Sequence, residues 1–326
     1  MIRTVEQKGY EPVCLSMTPI PQKPITHAAS ILAPLRYDPK ATILANFDAV
    51  CAAAVQQFSS TGERTQLILA DNSGNRAYGS LFVELNRMIK YGAIPLDFTP
   101  LNVYIQGKPH GLNACLTEAT GDIVVASDWN KKPLGDAINQ LIQEARGQHA
   151  LVGAKILGLD PRHAEKQYLA YGGGYACPRD LFPPASPPGL IADDLFVNSW
   201  VNMQGGKIYI SEAEIEDTKA ITLSARERAE RKGRQLAGNE QFQRLIVRNT
   251  NSGKSFRPVE HLPTAPERPI RTLSERIMGS IFLRGLTTEQ KLRVISDRVV
   301  DRLKLVREYE DRSFKKHIDS ASDGTW

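Results

Sequence analysis

The sequence predicts an α/β fold, an open and mainly parallel sheet covered by helices, followed by a helical C-terminal extension. Three observations predict it. Short, continuous apolar runs alternate with stretches whose apolar residues fall at helical spacing, as in a sheet buried on both faces. The 326 residues, 41% of them apolar, can bury a large core. No apolar run approaches the roughly 20 residues of a membrane-spanning helix.

Taken in order, "PVCLSM" (12–17) reads as a first strand, closed by the Pro-rich "TPIPQKP". "NFDAVCAAAVQQF" (46–58) is a helix and "TQLILAD" (65–71) a second, buried strand. "GSLFVELNRMIKYG" is an amphipathic helix, "LNVYIQ" (101–106) a third strand and "LNACLTEATG" a third helix. "DIVVASD" (122–128) is the fourth strand, and "LGDAINQLIQEAR" the helix after it. The order then changes. "ALVGAKILGL" reads as a strand, "YLAYGGGYACPRDLF" couples a Gly cluster to aromatics, and "PPASPPG" is a loop. "DDLFVNSWVNMQGG" is a helix stopped by its glycines, and "KIYISEAEIED" a short strand. A main domain is expected over 1–250. Residues 251–326 are expected to form a linker and a basic helical extension, which would pack on the domain or on a second copy of the chain, or lie on an anionic membrane surface.

The N-terminus has no apolar stretch of signal-peptide type, so a cytoplasmic location is expected. Cys14, Cys51, Cys115 and Cys177 show neither metal-ligand spacing nor a disulfide framework and read as buried thiols. The histidines form no zinc pattern. The formal charge of +5 is unevenly spread. "SARERAERKGR" (224–234) and the chain from Arg257 onward are rich in Arg and Lys, which favours anionic partners, although a solvated helix face is the more ordinary explanation of any single cation.

Ligands of open α/β sheets bind beyond the carboxyl ends of the strands. Two acidic tips fall there: Asp71-Asn72-Ser73-Gly74 after the second strand and Asp128-Trp129-Asn130 after the fourth, with an Asp193-Asp194 pair later. Each is also an ordinary turn or helix-start composition. Together they point to a nucleotide-and-metal site, with Asp71 and Asp128 expected on neighbouring strands facing one cleft. Trp129 reads equally as a stacking surface or as core. Lys108 and His110 precede the Gly111 segment, where they would meet phosphate.

The order of these motifs resembles the family-2-type glycosyltransferases of the GT-A fold, over roughly residues 10–235. "LILADNSGN" looks like the family's early Asp-ended strand, "GLNACLTEATGDIVVASDWN" like its Gly-Asp, apolar strand and Asp-x-Asp segment, and "ADDLFVNSWVNMQGGKIYIS" like its Glu-Asp helix and following strand. The resemblance implies a GT-A-like α/β/α sandwich and an inverting sugar transfer from a nucleotide-diphospho-sugar donor, with Asp194 as base. It implies donor contacts at Asp71, Ser73, Lys108, Asn113 and Asp128, and acceptor contacts at Tyr175 and Asp193. It also implies a manganese or magnesium ion at Asp128 and Asn130.

Three departures stand out. Asn130 replaces the second Asp of Asp-x-Asp and removes a charge, so the ion is expected to bind weakly. Asp193 replaces a Glu. The stretch from the strand at 12–17 to that at 65–71 is longer than usual. The acceptor class (saccharide, lipid, small molecule or nucleic acid) is left open. So are a nucleotidyltransferase and a catalytically silent sugar- or nucleic-acid-binding relative.

Overall fold

The computed structural model describes residues 22–36, 38–73, 76–105, 107–157, 170, 174–187, 190–217, 226–227, 229–231, 233–238, 240–241 and 309–317. The expected strand at 12–17, Cys14, the linker and the extension up to residue 308 lie outside these. So does the boundary at 250.

The described elements run β1 (His27–Leu35), α1 (Lys40–Thr61), β2 (Thr65–Asp71), α2 (Gly79–Tyr91), β3 (Leu96–Asn102), α3 (Lys108–Glu118) and β4 (Gly121–Ser127). Next come β5 (Lys132–Pro133), α4 (Ala137–Gln148), β6 (Leu151–Leu157), β7 (Gly174–Pro178), α5 (Asp193–Met203) and β8 (Ile208–Glu216). They form one eight-stranded sheet of order β3-β2-β1-β4-β7-β6-β8-β5. Pairings β1–β2, β2–β3, β1–β4 and β6–β8 are parallel, and those of β4 and β6 with β7, and of β5 with β8, are antiparallel. The sheet is mostly parallel, with β7 running against its neighbours.

Alternate residues of the central strands bury opposite faces, which is why these strands read as continuous apolar runs. Ile31, Ala33, Leu67, Leu69, Ile123 and Val125 pack with Phe47 and Val50 of α1, Leu85 of α2 and Leu141 of α4. Leu32, Ile68, Ala70, Val124 and Ala126 pack on the other face with Leu112 and Cys115 of α3 and Val197 and Val201 of α5. The result is a helix–sheet–helix sandwich. At its base, Gly121 approaches β1 so closely that an added Cβ would lie 2.1 Å from the Ser30 nitrogen. Ser30 Oγ accepts the Gly121 N–H at 2.7 Å, so any side chain at 121 would separate the two strands.

Three expectations are corrected here. "HAASILAPL" is a central strand, so the long stretch before "TQLILAD" contains β1, a strand not expected there. The third strand is Leu96–Asn102, not 101–106, and Tyr104 and Ile105 are exposed. Asp71 and Asp128 follow strands that are not neighbours, because β1 lies between β2 and β4. Among the described residues no helix is long and apolar enough to cross a membrane.

Candidate functional site

From β1 the chain moves outward to β2 and β3, then returns to place β4 on the other side of β1. The carboxyl ends of β1 and β4 therefore flank a point where strand order reverses, the usual ligand crevice of such sheets. A narrow cleft opens there, lined by Pro34 of β1, Ala126, Ser127 and Asp128 of β4 and its tip, Lys108 and Leu112 of α3, Tyr175 of β7 and Asp193 of α5.

Asp128 and Asp193 face each other across one ammonium group. Lys108 Nζ lies 2.7 Å from Asp128 Oδ1 and 2.9 Å from Asp193 Oδ2, while Lys131 Nζ lies 3.3 Å from Asp128 Oδ2. Burial opposes ionisation of Asp128, but the charges of Lys108 and Lys131, with a hydrogen bond from each, outweigh it and bring its pKa to about 2. Burial likewise works against the Lys108 charge, and Asp128 and Asp193 overcome it, so its pKa lies well above the usual lysine value. The Tyr175 ring stacks on Phe182 at a centroid distance of 6.3 Å. Its hydroxyl is buried without a hydrogen-bond partner among the described residues. Burial first, then the charges of Asp193, Asp194 and Asp128, push its pKa well up despite Lys108, so it stays a protonated donor.

Local structure explains how these groups are held. Asn46, buried in the middle of α1, donates to the backbone oxygens of Trp129 (3.3 Å) and Lys131 (2.6 Å) and so fixes the Asp128 tip. Asn72 Nδ2 donates at 2.6 Å to the Gly107 carbonyl, holding the start of α3 where Lys108 stands. Asn198 bonds both backbone groups of Ala170 and steadies α5.

The cleft thus unites Lys108, Asp128, Tyr175 and Asp193. The other expected residues lie around it. Asp71 is buried, accepting hydrogen bonds from Ser73 N, Ser73 Oγ and Tyr78 N, so it and Ser73 build the turn after β2. Asn113 exchanges two hydrogen bonds with Ser186, at 2.7 and 2.6 Å, and anchors loop 183–187 on α3. Asp194, half-buried in the first turn of α5, accepts the Leu195 N–H at 2.9 Å. Asn130 sits in the turn after β4 and does not line the cleft. Trp129 is core, 1% exposed.

Sequence reasoning did not single out Lys131, Asn46 or Asn72. Lys131 carried a local signal in its i, i+3 spacing from Asp128. The basic stretch at 224–234, left unassigned, contributes as well. Arg234, exposed in that stretch, feels the charges of Asp128 and Asp193.

The donor set does not fit a resident divalent cation. Asp128 faces an ammonium at each oxygen, Asp193 faces one too, and Asn130 points no charge into the cleft. Among the described residues no group of three or more His, Cys, Asp or Glu could hold a metal. Two unit charges of like sign about 4 Å apart repel by about 4 kcal/mol at an effective dielectric of 20, and a doubly charged ion beside Lys108 would meet twice that.

No family model and no curated protein matches the chain. Solved structures do. It is similar to a mannosyltransferase, PcManGT from Pyrobaculum calidifontis, solved with GDP-Man and Mn2+, at 15% identity over 95% of this chain and 90% of that one, with a TM-score of 0.55. GalNAc-T7, solved with UDP, GalNAc and Mn2+, matches at 12% identity over 58% of this chain and 42% of its own, with a TM-score of 0.42. S. aureus TarS matches at 12% identity over 90% and 55%, with a TM-score of 0.43. The likeness to the mannosyltransferase shows that the chain has a GT-A-like α/β/α fold.

Proposed function

We propose that the chain is a nucleotide-sugar-dependent glycosyltransferase that moves a sugar from a nucleoside diphosphate to an acceptor hydroxyl with inversion. The observation that supports this most is the meeting of Lys108, Asp128, Tyr175 and Asp193 at the switch point of a GT-A-like sheet. The solved mannosyltransferase of the same fold holds GDP-Man.

In this reading the acceptor oxygen attacks the anomeric carbon, its proton passes to the Asp194 carboxylate, and the bond from the anomeric carbon to the diphosphate oxygen breaks. The leaving oxygen keeps the electron pair. Lys108, with Arg234 behind it, neutralises the charge that develops there. Asp193 is tied to Lys108, and Asp194, beside it in the first turn of α5, is the carboxylate assigned to take the proton. The Tyr175 hydroxyl is a donor available to the acceptor or the sugar. A binding protein without turnover is the second reading, favoured by Asn130.

Release of nucleoside diphosphate from a panel of nucleotide sugars, with and without simple acceptors, tests the proposal. A general base contributes about 10²–10⁴-fold, so Asp194→Asn should lose at least about a hundredfold in turnover while nearly keeping donor affinity. Asp193→Asn should instead weaken donor binding, because it loosens Lys108. Near-normal turnover in Asp194→Asn would remove Asp194 as the base. Donor binding without turnover in the wild type would favour the second reading.

A further inference from the structure

Resting on the glycosyltransferase reading, we infer that Lys108 fills the place of the divalent cation, so that the donor diphosphate is neutralised by fixed side chains and needs no metal ion. A divalent cation in this crevice would have to be held by Asp128 and Asp193, the two carboxylates that line it. Lys108 already stands between them. Its ammonium joins Asp128, at the tip of β4, to Asp193, at the start of α5, at 2.7 and 2.9 Å. An ammonium has three N–H donors, and two satisfy these carboxylates. The third is left for a phosphate oxygen.

The charge balance agrees. Lys108 and Lys131 cancel the charges of Asp128 and Asp193. Arg234 is a further cation that feels both carboxylates, while Arg231 is held by Asp217 at 2.8 Å. A nucleoside diphosphate therefore meets the Lys108 ammonium, with Arg234 in the same field, without an added ion. A divalent cation placed between Asp128 and Asp193 would have to expel Lys108. Asn130, which does not line the cleft, supplies no further carboxylate for the ion.

The inference is tested on the full chain in two arms. Free manganese is followed by its electron paramagnetic resonance signal as protein is titrated, without nucleotide. Binding of UDP and GDP is measured by calorimetry in EDTA and again in manganese. The wild type should leave manganese free and bind its preferred nucleotide equally well, within about twofold, in both buffers. A change of tenfold would correspond to about 1.4 kcal/mol.

Lys108→Met should lose at least about tenfold in nucleotide affinity in EDTA. It should also gain manganese binding, and manganese should restore its nucleotide affinity. Thermal unfolding checks that it is folded, and Lys108→Gln replaces it where it is not. Manganese binding by the wild type alone, a wild-type nucleotide affinity that depends tenfold on manganese, or Lys108 variants that still exclude the ion would each overturn the inference. If neither nucleotide binds under any condition, the functional reading falls, and the manganese titration decides by itself whether Lys108 holds the cation's place.

Discussion

Arg179 is the residue whose surroundings fit it least. It follows β7, at the end of the sheet away from the cleft, and is 6% exposed. Both terminal nitrogens lack a hydrogen-bond partner among the described residues, and apart from Gln22 its neighbours Phe182, Pro183, Pro184, Leu116 and Val124 are apolar. Burial accordingly lowers its pKa. A buried charge without a partner costs more than an apolar residue of similar size, by about 1–4 kcal/mol. Arg179→Leu should therefore raise the thermal midpoint by several degrees, read by calorimetry. A lowered midpoint would mean that the guanidinium is held. Asp128 makes the opposite case, a carboxylate whose partners outweigh its burial. Its folded-state pKa of about 2 lies below the ordinary value of 3.8. Its stabilisation is thus complete above about pH 4 and is lost as pH falls through about 2. The shift corresponds to about 2 kcal/mol, so the stability gap between wild type and Asp128→Asn should close over that window in acid-unfolding curves. Lys108 and Asp128 were legible because charged residues at a strand end and a helix start are conspicuous. Asn46 and Asn72 were not, because their partners at Lys131 and Gly107 are distant in sequence.

Among the elements, legibility followed how far local pattern agrees with burial. "TQLILAD" was read residue for residue, because every position of β2 is buried. β1 was missed because Ala28, Ala29, Ser30, Ala33 and Pro34 carry little strand preference; its place is fixed by pairing with β2 and β4 on both sides. β3 was displaced toward the Val-Tyr-Ile run. The observed strand contains Asp97 and Pro100, and an edge strand tolerates a proline because one of its sides has no ladder. α4 was placed well, and it offers a test at its own scale. Gly147, in its last turn, has nothing within 4 Å of an added Cβ. Gly147→Ala should stabilise by about 0.5–1 kcal/mol through helix propensity, seen as a higher denaturant midpoint with an unchanged slope. A fall would indicate that the backbone there relies on glycine.

At the scale of the whole molecule, residues 309–317 pack on the basic stretch whose Arg234 feels the cleft carboxylates. Residues 309–317 are helical and lie on the helical stretch that contains residues 229–231 and 233–238. Ser313 Oγ donates to the Glu230 carbonyl at 2.6 Å, and the Arg226 guanidinium lies 5.1 Å from the centre of the Tyr309 ring. The helices can approach because position 233 has no side chain. A Cβ on Gly233 would come within 2.3 Å of the Glu310 carbonyl oxygen and 2.9 Å of the Phe314 nitrogen. The same stretch carries Arg231 and Arg234, and His317 feels the charge of Arg234. Docking of the 309–317 helix is therefore expected to bear on the field at the cleft through Arg234. Gly233→Ala should force the helices apart, lower the thermal midpoint, and weaken nucleoside diphosphate binding several-fold by shifting Arg234. Gly147→Ala is the matched control, since the same added methyl meets empty space there. Backbone against methyl at 2.3 Å cannot be relieved by a rotamer change, so any outcome short of displacement requires the backbone of one helix to move. Stability and nucleotide affinity both unchanged in Gly233→Ala would show that the C-terminal helix is not coupled to the cleft.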